Sequence, residues 1–96
     1  MAERTKVTKG NVFKDLGFAD PEARNLAMRA DLMMAIADYV RRNALSQTKA
    51  AQVLGVTQPR MNLLVKGKID KFSLDALVNM ASRAWLRVML TVKRAA

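Results

Sequence analysis

The chain contains no cysteine and no histidine. Disulfides and thiol nucleophiles are therefore excluded, and so are the common zinc-ligand sets. Histidine-dependent acid–base chemistry is excluded as well. The eight carboxylates form no paired arrangement that could sit in a cleft, and no other nucleophile–base set is visible, so no enzyme, metal or cofactor is expected. Aromatic residues number five in 96, which leaves the core to Leu, Val, Ala and Met and offers no exposed stacking platform for RNA. No apolar run reaches the roughly 18 residues that suggest a transmembrane helix. The N-terminus has charges but no apolar stretch behind them, so no signal peptide is read. A cytoplasmic setting without a membrane partner is the expectation.

What is present is positive charge. Seventeen Lys and Arg stand against eight Asp and Glu, a net +9. On a chain sized for one modest core, that balance favours a polyanionic partner. Nucleic acid comes first and an anionic membrane surface second; a merely solvated basic surface is the plainer alternative. About half the residues are apolar, so the composition is that of a folded chain.

The most informative stretch is Ser46 to Gly67. Ser46 suits an N-cap. Ala50, Ala51 and Leu54 recur on one helical face, and Gly55 follows where a left-handed C-cap suits glycine. Val56 is an apolar plug. Thr57 can cap a second helix with Pro59 in its first turn, Met61, Leu64 and Val65 continue the apolar face, and Gly67 can end it. The pattern is that of a helix-turn-helix, although an ordinary helical hairpin inside a bundle satisfies it equally. The residues left outside the core favour the former. Gln47, Gln58, Arg60, Asn62 and Lys66 can reach phosphates or base edges, and no carboxylate lies between Ser46 and Ile69.

Around this unit the chain reads as follows. Residues 1–10 suggest a basic arm or simply a frayed terminus. Val12, Phe13, Leu16 and Phe18, broken by Gly17, suggest one helical turn and a loop packed on the core. Asp20-Pro21-Glu22 opens a long helix to about Asn43, with Leu26, Met33, Ile36, Ala37 and Val40 near one stripe and Met28, Leu32 and Tyr39 flanking it. Leu45 plugs the link. After Gly67 comes a loop with Lys66, Lys68 and Lys71, then a helix capped by Ser73 and ending near Arg83. From Leu86 to Lys93 the period changes to two, which predicts a half-buried strand. Its partner is either a short segment near Lys6 to Thr8 or the same strand of a second copy. The expected fold is mainly α: a bundle of about five helices over 11–85, with residues 86–96 as a C-terminal strand and tail that could dimerise.

Leu45 to Gly67 resembles the helix-turn-helix of the lambda-repressor/Cro, or Xre, family. Gln47 and Gln58 match the glutamines that open its two helices. Ala51 matches its small residue, Gly55 its turn glycine, and Val56, Met61 and Leu64 its plugs. Gly10 to Gly17, Leu45-Ser46-Gln47, Gln58-Pro59, Lys66-Gly67-Lys68 and Phe72-Ser73-Leu74 stand in the order seen in Xre proteins that act as antitoxins. That branch usually has a glycine before the final strand, where this chain has Trp85. The turn is then built differently, or Trp85 packs against a neighbouring subunit.

The resemblance implies a DNA-binding regulator, a repressor or in narrower form an autoregulating antitoxin, that puts the helix from about Thr57 to Lys66 into the major groove. Gln58 would hold adenine, and Arg60 would take guanine or a phosphate. Gln47, Thr48, Lys49, Thr57, Asn62, Lys66 and Lys68 complete the candidate DNA contacts, mostly to phosphate. The partners implied are a double-stranded, palindromic operator and a second copy of the chain. A cognate toxin is a further candidate partner. The alternative function is a protein-interaction module that mainly sequesters that toxin.

Overall fold

The computed structural model describes residues 16–17 and 20–94. The basic arm, Phe13 and Phe18, and the suggested Lys6–Thr8 pairing lie outside the described residues; Leu16 and Gly17 form a turn with Leu16 exposed. Four α-helices follow: α1 Asp20–Arg42, α2 Gln47–Leu54, α3 Gln58–Val65 and α4 Leu74–Arg83, with a single 3-10 turn at Ile69–Lys71 between the last two. About five helices are expected from the sequence, the remaining helical turn within residues 11–20, most of which lie outside the described residues; among the described residues there are these four helices and no strand.

Each start follows from a side chain. Ser46 Oγ accepts from Lys49 N–H at 3.1 Å, Thr57 Oγ1 from Arg60 N–H at 3.3 Å, and Ser73 Oγ from Ala76 N–H at 3.1 Å. Those hydroxyls satisfy backbone donors that the first helical turn leaves free. At the start of α1, Asp20 and Glu22 lie in the first turn, and Arg41 and Arg42 close the last, matching the helix dipole at both ends. Asp38 ion-pairs with both arginines.

All four helices end alike. A residue with positive φ donates to the carbonyl three before it, and the next residue donates to the carbonyl five before it. The left-handed residues are Ala44, Gly55, Gly67 and Trp85, at φ +51°, +71°, +73° and +62°. The paired bonds are Ala44 to Arg41 and Leu45 to Val40, Gly55 to Gln52 and Val56 to Ala51, Gly67 to Leu64 and Lys68 to Leu63, and Trp85 to Ser82 and Leu86 to Ala81. This is the Schellman closure. In three of the four, the residue after the left-handed one is an apolar plug, Leu45, Val56 or Leu86, and it packs against the core.

The helices enclose one core. α1 lies against α4, the 3-10 turn and α3, while α2 packs on α3 and α4. Phe72, Ile36, Leu54, Met61 and Leu77 are its largest fully buried side chains. Ala50, Ala51, Ala81 and Ala84 are buried beside them, and small side chains at these positions allow close helix approach. No polar or charged residue is fully buried among the described residues. The Asp31 carboxyl, on α1, is raised above the usual carboxylate range by desolvation.

The expected strand is the main correction. Among the described residues, no backbone group of residues 87–94 pairs with another. Met89, Leu90 and Val92 are each about four-fifths exposed at 82%, 80% and 82%. A strand exists by pairing, and the described residues hold no second segment to pair with it; only Leu86 reaches the core. Trp85 settles the question of the turn. The helix closes as the others do, with a tryptophan in the left-handed position and its side chain 92% exposed.

Candidate nucleic-acid interface

The turn between α2 and α3 has to be tight. Gly55 takes φ +71°, and a Cβ there would stand 2.5 Å from Arg83 Nε and 2.8 Å from its Cζ. That guanidinium donates to Val53 O at 3.2 Å, so α4 caps a carbonyl near the end of α2. Glycine is needed at position 55 for its conformation and for the space it leaves.

With the turn fixed, the N-terminal residues of α2 and α3 come side by side. Gln58 Nε2 donates to Thr48 Oγ1 across the two helices. Gln47, Gln58, Pro59, Asn62, Leu63 and Lys66 line one open concavity on the outside of the pair. Four residues expected as DNA contacts, Gln47, Gln58, Asn62 and Lys66, are thus assembled on one surface, with Thr48 bonded to it. Lys49, Thr57 and Lys68 are exposed around it; the Thr57 hydroxyl already serves as the cap of α3. Helical spacing explains the grouping. At about 100° per residue, positions 58, 59, 62, 63 and 66 fall on the side of α3 opposite Met61 and Leu64, which are buried.

Arg60 does not join them. Its NH1 donates to Lys71 O at 2.8 Å, and its guanidinium carbon lies 4.3 Å from the centroid of the Phe72 ring. At two positions past Gln58 it flanks the core side of the helix, as an i, i+4 neighbour of Leu64. Expected to take guanine or a phosphate, Arg60 here anchors the loop that follows α3.

A second anchor was not expected. Arg29 NH1 donates to Phe72 O at 3.1 Å and Ile69 O at 3.4 Å, and its Nε is buried without a partner. Its signal was available: Leu26, Arg29, Met33 and Ile36 share one face of α1 by spacing, so a cation stands within the buried stripe. Arg29 and Arg60 together hold the carbonyls of Ile69, Lys71 and Phe72, in the loop that carries Lys68 and Lys71. Pro59 and Leu63 were likewise not anticipated as part of the surface.

The carboxylates are unevenly placed. Four carboxylates (Asp20, Glu22, Asp31 and Asp38) lie on α1, and none lies on α2 or α3. Among the described residues no group of acidic side chains could hold a metal ion, and no helix is long and apolar enough to cross a membrane.

The helix-turn-helix domain family matches residues 12–93, and the chain belongs to that family. None of the curated proteins matches it. Helix-turn-helix domains present their second helix to the DNA major groove, so the family points to a DNA-binding regulator.

Proposed function

We propose that this protein is a sequence-specific transcriptional repressor that inserts α3 into the major groove of its operator. The observation that carries the reading is the carboxylate-free surface on which Gln47, Gln58, Asn62 and Lys66 converge. Amide side chains from the start of α3 face base edges, while Gln47, Lys49, Lys66 and Lys68 lie outward toward phosphates. Binding to duplex DNA from upstream of the chain's own coding region, measured across a salt series, is the test. Affinity should fall steeply with salt, and Lys66→Ala should flatten the log–log slope by about one unit. An affinity indifferent to salt would rule out docking by this face.

The repressor acts as a homodimer joined through residues 86–93. Support comes from the unpaired backbone and exposed apolar side chains of that segment, and from the two-fold symmetry common to helix-turn-helix operators. Antiparallel pairing about Met89 sets Leu86 opposite Val92 and Val88 opposite Leu90, with Arg87 opposite Thr91. Pairing about Leu90 would set Arg87 against Lys93, and like charges directly opposite destabilise a ladder. Since the chain has no cysteine, Met89→Cys gives a single thiol per protomer. Oxidation should cross-link it into a dimer faster than Leu90→Cys. A monomeric mass by light scattering would remove the dimer; faster linking at position 90 would move the register.

The motifs shared with antitoxin-type Xre proteins support a narrower form, an autoregulating cytoplasmic antitoxin. The exposed apolar residues Trp85, Met89, Leu90 and Val92 favour a second reading, a module that mainly sequesters a partner toxin. Stable co-purification with a toxin encoded beside it, together with absent DNA binding, would establish the second reading over the first.

A further inference from the structure

We propose that Arg29, on the long helix α1, is a positioning residue for DNA binding: with Arg60 it fixes the backbone of the loop after α3, and that loop presents Lys68 and Lys71 as a paired contact to the phosphate backbone. The inference rests on the proposed docking of α3 in the major groove.

The loop has little of its own to hold it. It contains one 3-10 turn, Ile69–Lys71, without a side-chain cap, and such turns have poorer hydrogen-bond geometry than an α-helix. Its carbonyls are met from outside. Arg29 NH1 donates to Phe72 O at 3.1 Å and to Ile69 O at 3.4 Å. Arg60 NH1 donates to Lys71 O at 2.8 Å, with its guanidinium over the Phe72 ring. Cations from two different helices thus hold the same short stretch of backbone.

A cation is a costly residue at position 29. It stands in the stripe of α1 that includes the buried Leu26, Met33 and Ile36, and its Nε is buried without a partner. Among the described residues no carboxylate pairs with it. A part-buried charge loses hydration that incomplete pairing does not return. Met or Leu would pack into the same stripe without that loss. Neither could supply a planar donor group that reaches two carbonyls at once. The use of an arginine here therefore lies in the loop it holds.

That loop carries positive charge. Lys68 precedes the 3-10 turn and Lys71 ends it. Residues three apart in such a turn eclipse, so the two lysines lie along one side of it, and both are exposed. Among the described residues no ion pair engages either ammonium group. Asp70, at three residues per turn, stands about 120° aside. The loop follows directly on α3, whose early residues face the bases, so it falls at the edge of the groove, where the phosphates are. Lysine is a point charge on a flexible stem. Holding the backbone beneath two of them removes part of the ordering that DNA binding would otherwise require.

The test is a double-mutant comparison read by the salt dependence of binding. The full-length chain is measured on duplex DNA from upstream of its own coding region and on an unrelated duplex. Replacing Lys68 and Lys71 together by Ala should flatten the log–log slope by about two units on both duplexes. Arg29→Met should flatten it by about one unit or more, although it removes no group that touches DNA. In the Arg29→Met background, removing the lysine pair should flatten the slope by less than about one further unit. Arg29→Lys keeps the charge without the fork and should behave as Arg29→Met does; it also serves should the Met variant fold poorly. An Arg29 that merely supports the core would lower the melting temperature and leave the full two-lysine effect in place, and that result would overturn the proposal. So would a normal slope in Arg29→Lys, which would assign the effect to charge alone. If losing the lysine pair left the slope unchanged while Lys66→Ala still flattened it, the proposal would fall and the docking of α3 would stand. An affinity of the unaltered chain indifferent to salt would instead remove the proposed function beneath it.

Discussion

Two helices of this protein end on glycine and two do not, although all four close with the same pair of backbone bonds. Gly55 and Gly67 bound the helix pair that carries the candidate interface, whereas Ala44 and Trp85 stand where the chain enters that pair and where it leaves the bundle. The difference teaches what the glycines are for. A left-handed residue with a Cβ costs about 1–2 kcal/mol, and the fold tolerates that cost at Ala44 and Trp85, where the closure and the apolar plug behind it hold the backbone. At Gly55 a second cost is added, because a Cβ would push the exposed Arg83 guanidinium away from Val53 O.

Four substitutions break or sharpen this contrast. Gly55→Ala has the largest expected effect, a loss of about 2–3 kcal/mol in denaturant unfolding, from backbone strain together with displacement of Arg83 from Val53 O. In an Arg83→Ala background the same change should cost only about 1 kcal/mol, the strain alone; an unchanged cost would show that the guanidinium is irrelevant. Gly67→Ala should cost about 1 kcal/mol in any background, since nothing lies within 4 Å of its would-be Cβ. Ala44→Gly and Trp85→Gly should go the other way and raise stability by about 0.5–1 kcal/mol, relief of strain less the added freedom of the unfolded chain. A loss at Trp85 that grows with protein concentration would mean that its exposed ring serves an interface stronger than the strain.

The helix pair was legible because its determinants are local. Ser46, Gly55, Thr57, Pro59 and Gly67 act on backbone groups a few residues away, and Ala51, Leu54, Met61 and Leu64 declare one face by period. The engagement of Arg60 was not legible, for the opposite reason. Its place in the sequence suits a base reader, but its partners, Lys71 O and the Phe72 ring, come from a loop whose path is set by packing on α1. Residues 86–93 show the limit of periodicity: alternation of Leu86, Val88, Leu90 and Val92 specifies which faces a strand would have, while the ladder itself depends on a partner that the sequence pattern does not contain. Trp85 was rightly singled out as the unusual junction residue, and only the backbone geometry could say that the turn closes regardless.

The three anchors of the candidate interface share a chemistry with a consequence for solution conditions. Arg29, Arg60 and Arg83 each donate to backbone carbonyls. A guanidinium keeps its proton throughout the range in which proteins are folded, and a carbonyl does not titrate there. The chain has no histidine or cysteine, the side chains whose charge changes most readily near neutrality. The Asp31 carboxyl, raised by burial, lies on α1 and not on the α2–α3 surface. Mild acid and mild alkali therefore leave this surface assembled as it is, and ionic strength is the variable to which it responds.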